Sequence, residues 1–364
     1  MFKKGKCIME WELLGISLAG LISFTLYFFK IPIEFPAPSD SKEKREIRFD
    51  ILRGFAMIGI VMIHIHSYFQ FFHPNDYLVI KSTLFLSNLS RFSVPLFILT
   101  SAVFLKKKSG YWTSKFKHLI LPYFFFSVFG YFIKYNDHSV YEFLYFLLFG
   151  KVFTPFYFVP LLIQFYLLFY IMNSIFSHES WRYRILIISF FINLVSNLGI
   201  FDPYLPKDYH AISILNYLFF FVLGLSIGTS KPSTSSTKPE RNYILNIFLL
   251  LICTIVFIFS FSFQTDFKNH HLFYPIFMMI FVWNHLFCFS AKFKNAISYI
   301  GKQSLYIFLL HPFIIHFMHS FDAYTFGGPI TGYLITLILN VGIPILASFI
   351  VQRGMILYQS RHYS

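Results

Sequence analysis

Apolar residues along this chain gather into runs of about twenty, separated by short polar clusters. That is the length a helix needs to cross the ~30 Å hydrocarbon core of a bilayer. Backbone N–H and C=O groups in hydrocarbon must be bonded internally, so the runs predict transmembrane helices. The apolar/polar alternation of a membrane β-barrel is absent. The first run, 11–29, follows Lys3, Lys4 and Lys6, and leads into Ile31-Pro32-Ile33-Glu34-Phe35-Pro36 rather than a small-residue cleavage site. It predicts a retained anchor helix, joined to the main body by the charged linker Ser41 to Glu46. Ten further runs are predicted at 49–69, 84–105, 118–134, 156–176, 185–200, 212–228, 243–263, 271–290, 303–320 and 330–351. The stretch 140–150 is too short to span and predicts an interfacial or re-entrant helix. Ser230 to Pro239, rich in Ser, Thr, Lys and Pro, predicts a flexible connection. The expected architecture is all-α: a polytopic membrane bundle with a ten-helix body, 48–364, and one N-terminal helix with its linker, 1–47.

Charge sets the orientation. With Arg48 inside and the helices alternating, the inner loops carry Lys106, Lys107, Lys108, Lys115, Lys117, Arg182, Arg184, Lys231, Lys238 and Arg241, and later Lys292, Lys294, Lys302, Arg353 and Arg361. The outer loops hold Lys81, Lys134, Lys151, Lys207 and Lys268. This asymmetry makes the first side cytoplasmic. The N-terminal helix departs from the pattern, because a spanning arrangement would put Lys3, Lys4 and Lys6 outside. Composition agrees with membrane residence: 56% of residues are hydrophobic, 22% aromatic and 13% charged. The 53 phenylalanines read as lipid-facing and interhelical packing. A net charge of +14, scattered over short loops, is the signature of a cytoplasmic membrane face and excludes nucleic acid as a partner. Cys7, Cys253 and Cys288 form no spaced pair, so neither a disulfide framework nor a metal site is expected.

Ionisable residues inside the runs carry the candidate chemistry. Arg53 and His64 are eleven residues apart, which on a helix is three turns plus ~20°, so they share a face with a rise of ~16 Å. Arg53 then lies at the inner boundary and His64 near mid-membrane, with Asp50 within ~40° of the same line. A side chain that ionises at such depth is expensive and faces the bundle interior or a wet cavity; a histidine bonded between helices for packing is the plainer alternative. His66, ~160° from the Arg53 direction, reads as structural. Arg91 lies roughly 22 Å above the inner boundary when counted from Lys106, either facing inward or snorkelling to the outer interface. Lys115, Lys117 and His118 precede Pro122 at an inner helix mouth; they could grip the phosphates of a nucleotide-bearing donor or be positive-inside decoration. His311 lies ~13 Å up from Lys302, near mid-depth again, with Ser304 close to the same face. With no Asp or Glu at any predicted helix centre, histidine is the available base.

These segments, in order, resemble the acyltransferase-3 family of polytopic membrane acyltransferases. The Arg53…His64 spacing is similar to the family's hallmark pair, and Ser90-Arg91-Phe92-Ser93-Val94-Pro95-Leu96-Phe97 to its second helix, with Ser101-Ala102 where Ser-Gly is usual. Lys117-His118-Leu119-Ile120-Leu121-Pro122-Tyr123 resembles the basic-pair-to-Pro motif, with histidine where arginine is common. Phe156 to Leu161 looks like the family's His-Leu-Trp-Phe segment, with Pro155 replacing the histidine and Tyr157 the tryptophan. Gly301 to Pro312 is close to its penultimate-helix signature.

The resemblance covers roughly 48–351. It implies transfer of an acyl group, usually acetyl, from cytoplasmic acyl-CoA to a hydroxyl of an envelope glycan or lipid-linked saccharide. It places the chain among membrane lipids, in the cytoplasmic membrane of a bacterium. Acyl-CoA would be a co-substrate rather than a resident cofactor. His64 and Arg53 would be the essential pair, with Arg48, Lys115, Lys117 and His118 facing the donor phosphates. Ser304, Tyr306 and His311 would line the cavity, and Arg91 and Tyr157 would contact substrate on the acceptor side. The rival expectation is a transporter of glycans or lipid-linked sugars, for which the Arg53…His64 pair has no specific use. A third is a non-catalytic membrane partner, suggested by Pro155 and Ala102.

Overall fold

The computed structural model describes residues 42–136, 139–176, 178–229, 273–286 and 289–362. The predicted runs 11–29 and 243–263 lie outside these residues. Every other predicted run falls on a described helix, and no strand occurs among the described residues. The helices are α1 (Lys42–Phe72), α2 (Tyr77–Leu89), α3 (Ser93–Val103), α4 (Tyr111–Lys115), α5 (Leu121–Lys134), α6 (Val140–Phe149) and α7 (Phe158–Phe176). There follow α8 (Glu179–Asn197), α9 (Leu218–Thr229), α10 (Phe273–His285), α11 (Ala291–Lys302), α12 (Ser304–Met318) and α13 (Gly328–His362). Among the described residues, five segments are long and apolar enough to cross a membrane: Ile47–Phe72, Tyr77–Val103, Tyr111–Lys134, Thr154–Phe176 and Gly328–Val351.

Three features depart from straight spans. The predicted run 84–105 is broken at Ser90-Arg91-Phe92 into α2 and α3. Pro95 explains the break: it has no N–H to bond the carbonyl of Arg91, four residues back. The third span contains a π-helical turn, Phe116–Ile120, between α4 and α5. Its extra residue precedes Pro122, whose missing N–H would otherwise leave the His118 carbonyl without its helical partner. The region expected to be an inner loop bearing Lys292, Lys294 and Lys302 is the amphipathic helix α11, capped by Ser290, which accepts from the Phe293 amide. Ile297, Ser298 and Gly301 are buried, while Lys292 and Lys302 are exposed. Reading for apolar runs misses such a helix because only one face of it is apolar.

The stretch 140–150, predicted too short to span, is the short helix α6. It exposes Val140, Tyr141, Leu144 and Leu148 and buries none of its residues fully. Exposed apolar residues also stud α5 (Phe125, Phe129, Phe132), α8 (Ile187, Ile188, Phe191) and α13 (Ile338, Leu346, Ile350), as expected of lipid-facing surface.

Small residues bring the helices together, because lipid removes the hydrophobic drive between them and leaves van der Waals packing. A Cβ on Gly54 would strike the Ile297 carbonyl, and one on Gly301 the Asp50 carbonyl, so α11 lies backbone-to-backbone on the N-terminal half of α1. Gly224 and Gly228 meet the Leu99 and Val103 carbonyls in the same way, sealing α9 onto α3. The methyl of Ala102 faces Gly224. The missing Cβ of Gly224 thus makes room for the Ala102 methyl.

At the end of the bundle away from Arg53, residues 198–217 form no long helix, only 3₁₀ turns at Asp202–Tyr204, Lys207–Tyr209 and Ile214–Asn216. Side chains hold them in place. Asn193 of α8 donates to the Asn216 carbonyl (2.8 Å) and Ser196 to the Asn216 side-chain oxygen (2.7 Å). Gln164 of α7 donates to the Ile212 carbonyl (2.9 Å) and accepts from the Tyr209 hydroxyl (2.6 Å). Lys151 and the Tyr145 hydroxyl both donate to Asp208.

Candidate active site

Helical arithmetic on α1 puts His64 and Arg53 on one face, and two different neighbours meet that face. His64, half-buried, meets His311 of α12, with ring centroids 5.4 Å apart and planes tilted by 39°. Pro312 follows His311 and frees the carbonyl of Phe308 from its helical bond. His311 itself is fully buried, and its Nδ1 lies 2.8 Å from the Ile307 carbonyl. A carbonyl only accepts, so Nδ1 carries the proton. Nε2 is left as a buried acceptor with no hydrogen-bond partner among the described residues. Phe308 stands beside His311 and packs on Phe156 and Phe158 at the start of α7.

Arg91 sits at the α2–α3 break. Its neighbours Ser90 and Ser93 press on Gly59 of α1, and Ser90 also donates to Met62, which sets Arg91 beside the turn of α1 that precedes His64. Arg91 is within electrostatic reach of His64, His66, Tyr157 and Tyr217. It therefore faces the bundle interior rather than snorkelling outward, and no carboxylate among the described residues pairs with it. Tyr157, in the 3₁₀ turn Thr154–Tyr157, is hydrogen-bonded through its side chain to Tyr217. Pro155 opens that turn, and the Tyr157 hydroxyl is the polar group it sets at this end of α7. His66 donates from Nδ1 to the Thr83 hydroxyl (2.9 Å), which itself donates to the Val79 carbonyl, and so ties α1 to α2 as a structural residue. Tyr217 was missed from sequence: it lies inside the apolar run 212–228, where no spacing marks it.

Some 16 Å along α1, Arg53 lies against α3. It donates to the Thr100 carbonyl (3.3 Å), pairs with Asp50 (3.8 Å), and covers the rings of Phe97 (5.9 Å) and Phe104 (5.7 Å). Lys115 joins it: the ammonium lies 4.1 Å from the Tyr166 ring centroid, and Arg53 is within electrostatic reach of both. The other residues of the predicted donor cluster diverge. Lys117 and His118 are exposed on the π turn, and Arg48 stacks on Trp283 of α10 at 5.0 Å. Ser304 is buried and Tyr306 half-buried, and no hydrogen bond or ring contact joins either to His64 or His311. Ser304 is two turns, ~10 Å, along α12 from His311. Among the described residues no group of His, Cys, Asp and Glu could hold a metal ion.

The fold and the buried polar groups together define a class: a multi-pass integral membrane protein with an intramembrane histidine pair, an arginine beside it and a basic mouth at one end. A family model described as an acyltransferase domain matches residues 46–349, and the chain belongs to that family, acyltransferase-3. It is also 25% identical, over 77% of its length and 85% of the relative's, to a probable poly-β-1,6-N-acetyl-D-glucosamine export protein of Staphylococcus aureus. To the protein of the same name from Staphylococcus epidermidis it is 26% identical, over 83% of this chain and 90% of the relative. No solved structure matches the chain.

Proposed function

We propose that this protein is an O-acyltransferase of the bacterial cytoplasmic membrane, moving an acyl group, acetyl in the simplest case, from cytoplasmic acyl-CoA to a hydroxyl of an envelope polysaccharide. The observation that carries the reading is the juxtaposition of His64 with His311 beside Arg91, at the far end of the Arg53 face from the basic mouth. Arg53 and Lys115 would hold donor phosphates by charge-assisted hydrogen bonds. The acceptor hydroxyl would give its proton to His64 as its oxygen attacks the thioester carbonyl carbon. The C–S bond then breaks, and the CoA thiolate leaves and takes up the proton. His311, with Nδ1 fixed on Ile307, orients the site. Arg91 lies where negative charge on the acceptor or on the attacked carbonyl oxygen would be stabilised.

The names of the relatives favour a second reading, export of a poly-N-acetylglucosamine chain. The purified protein in lipid vesicles separates the two. Given labelled acetyl-CoA outside and a β-1,6-linked N-acetylglucosamine oligosaccharide on either side, an acyltransferase places label on the oligosaccharide. A protein that moves the oligosaccharide across the vesicle while consuming no acyl-CoA is an exporter.

A further inference from the structure

We infer that His311 is a positioning residue: its Nε2 accepts the ring N–H of His64, which fixes His64 as the tautomer whose other nitrogen is a free base. The tautomer is a property of the chain itself, and only the kinetic arm of the test rests on the acyltransferase reading.

The sequence dictates one half of this arrangement. Pro312 has no N–H, so the Phe308 carbonyl lacks its helical bond, and it bonds the His311 ring together with the Ile307 carbonyl. Carbonyls only accept, so the ring proton is held on Nδ1, 2.8 Å from the Ile307 oxygen. Nε2 is then a lone pair, fully buried and with no partner among the described residues. A buried acceptor is costly unless a donor answers it. Phe308, beside the ring, has no side-chain donor. His64 has one, and its ring lies 5.4 Å from that of His311, centroid to centroid. At that separation facing ring nitrogens can reach ~3 Å, a hydrogen-bond distance. His64 is half-buried, and the torsion that aims an imidazole is broad, so its ring can turn an N–H to Nε2.

A catalytic histidine commonly takes its orientation from a carboxylate. Here α12 has no Asp or Glu, and α1 has none after Asp50, which lies ~21 Å from His64 along the helix. A carboxylate beside His64 would also place a costly charge at membrane depth. A neutral imidazole whose proton is pinned elsewhere gives the same direction without that charge. In the reaction the acceptor hydroxyl's proton passes to the free nitrogen of His64. The imidazolium is held by its N–H to Nε2 of His311, and the proton goes on to the CoA thiolate as the C–S bond breaks. His311 keeps its own proton on Nδ1 throughout.

The test is nitrogen NMR of histidine-labelled protein in lipid bilayers, with the His64 and His311 signals assigned by their loss in His64→Gln and His311→Asn. Asparagine can bond the helix carbonyls but ends short of His64, whereas glutamine carries its amide to the position of Nε2. Wild type should show His311 protonated on Nδ1 and His64 as one tautomer, its N–H coupled to His311 Nε2. In His311→Asn, His64 should populate both tautomers, and kcat should fall by roughly 10²-fold or more, as a mis-set tautomer costs a general base, with donor and acceptor KM unchanged. His311→Gln should restore the single tautomer and much of kcat, and it supplies the assignment if His311→Asn does not fold. Wild-type protein with the expected spectrum that transfers no acyl group overturns the enzyme reading alone. Wild-type His64 in both tautomers overturns this inference whatever the variants do, and so does a His311→Asn protein with wild-type His64 signals and kcat.

Discussion

Arg53 and His64 were legible in the sequence because eleven residues on a helix return to nearly the same face; the same arithmetic applied to α12 put His311 at a matching depth. What sequence could not supply was the partner of each. Lys115 and Lys117 read as one basic cluster, yet the π turn separates them: Lys115 lies over Tyr166 near Arg53, and Lys117 is exposed. Lys115→Ala should therefore raise the acyl-CoA KM about ten-fold, the scale for a bond to a charged group, with little change in kcat. Lys117→Ala should leave it within two-fold. Steady-state kinetics with acyl-CoA varied checks both, and equal effects would mean that the two lysines act as a general surface charge.

Helix ends and breaks were less legible than helix centres. The run 84–105 showed its proline but not the turn that turns Arg91 inward, and α11 was hidden because its apolar face is narrow. That helix matters to the site: Gly301 lies on the Asp50 carbonyl, one turn from Arg53. Gly301→Ala should lower stability by about 1–3 kcal/mol, as overpacking does, visible as an earlier thermal melt in detergent. Ala102→Gly, facing Gly224, should melt close to wild type. The segment around Asp208 offers a pH test. Lys151 and Tyr145, both donating to Asp208, hold its carboxyl below the usual carboxylate range. A carboxylate depressed in the folded state stabilises above its unfolded pKa, and that contribution is lost as pH falls through the depressed one. Melts taken from neutral to acid pH should show this loss, small because the pair is exposed, and Asp208→Asn should lack it.

At the scale of the whole molecule, hydropathy and charge asymmetry were enough for an all-helical multi-pass membrane protein, since hydrocarbon leaves a long apolar run no alternative to helix. They did not reveal how the spans pack, which depends on glycine contacts between residues far apart in sequence, such as Gly54 with Ile297 and Gly224 with Leu99. The orientation has a direct check. Cysteines placed at Asn75 and Asp202 should react with an impermeant reagent added outside intact cells, and one at Ser109 should not. Labelling at Ser109 would put the Arg53–Lys115 mouth on the wrong side for cytoplasmic acyl-CoA.

The central claim, that His64 takes a proton during acyl transfer while Arg53 holds the donor ~16 Å away, has one most direct measurement. Turnover of labelled acyl-CoA and equilibrium donor binding are compared for wild type, His64→Ala and Arg53→Ala in nanodiscs, with folding followed by thermal melt. His64→Ala should lose turnover by roughly 10²-fold or more while binding acyl-CoA as wild type does, and Arg53→Ala should bind it more weakly. A well-folded His64→Ala protein that transfers acyl groups at near the wild-type rate would contradict the account.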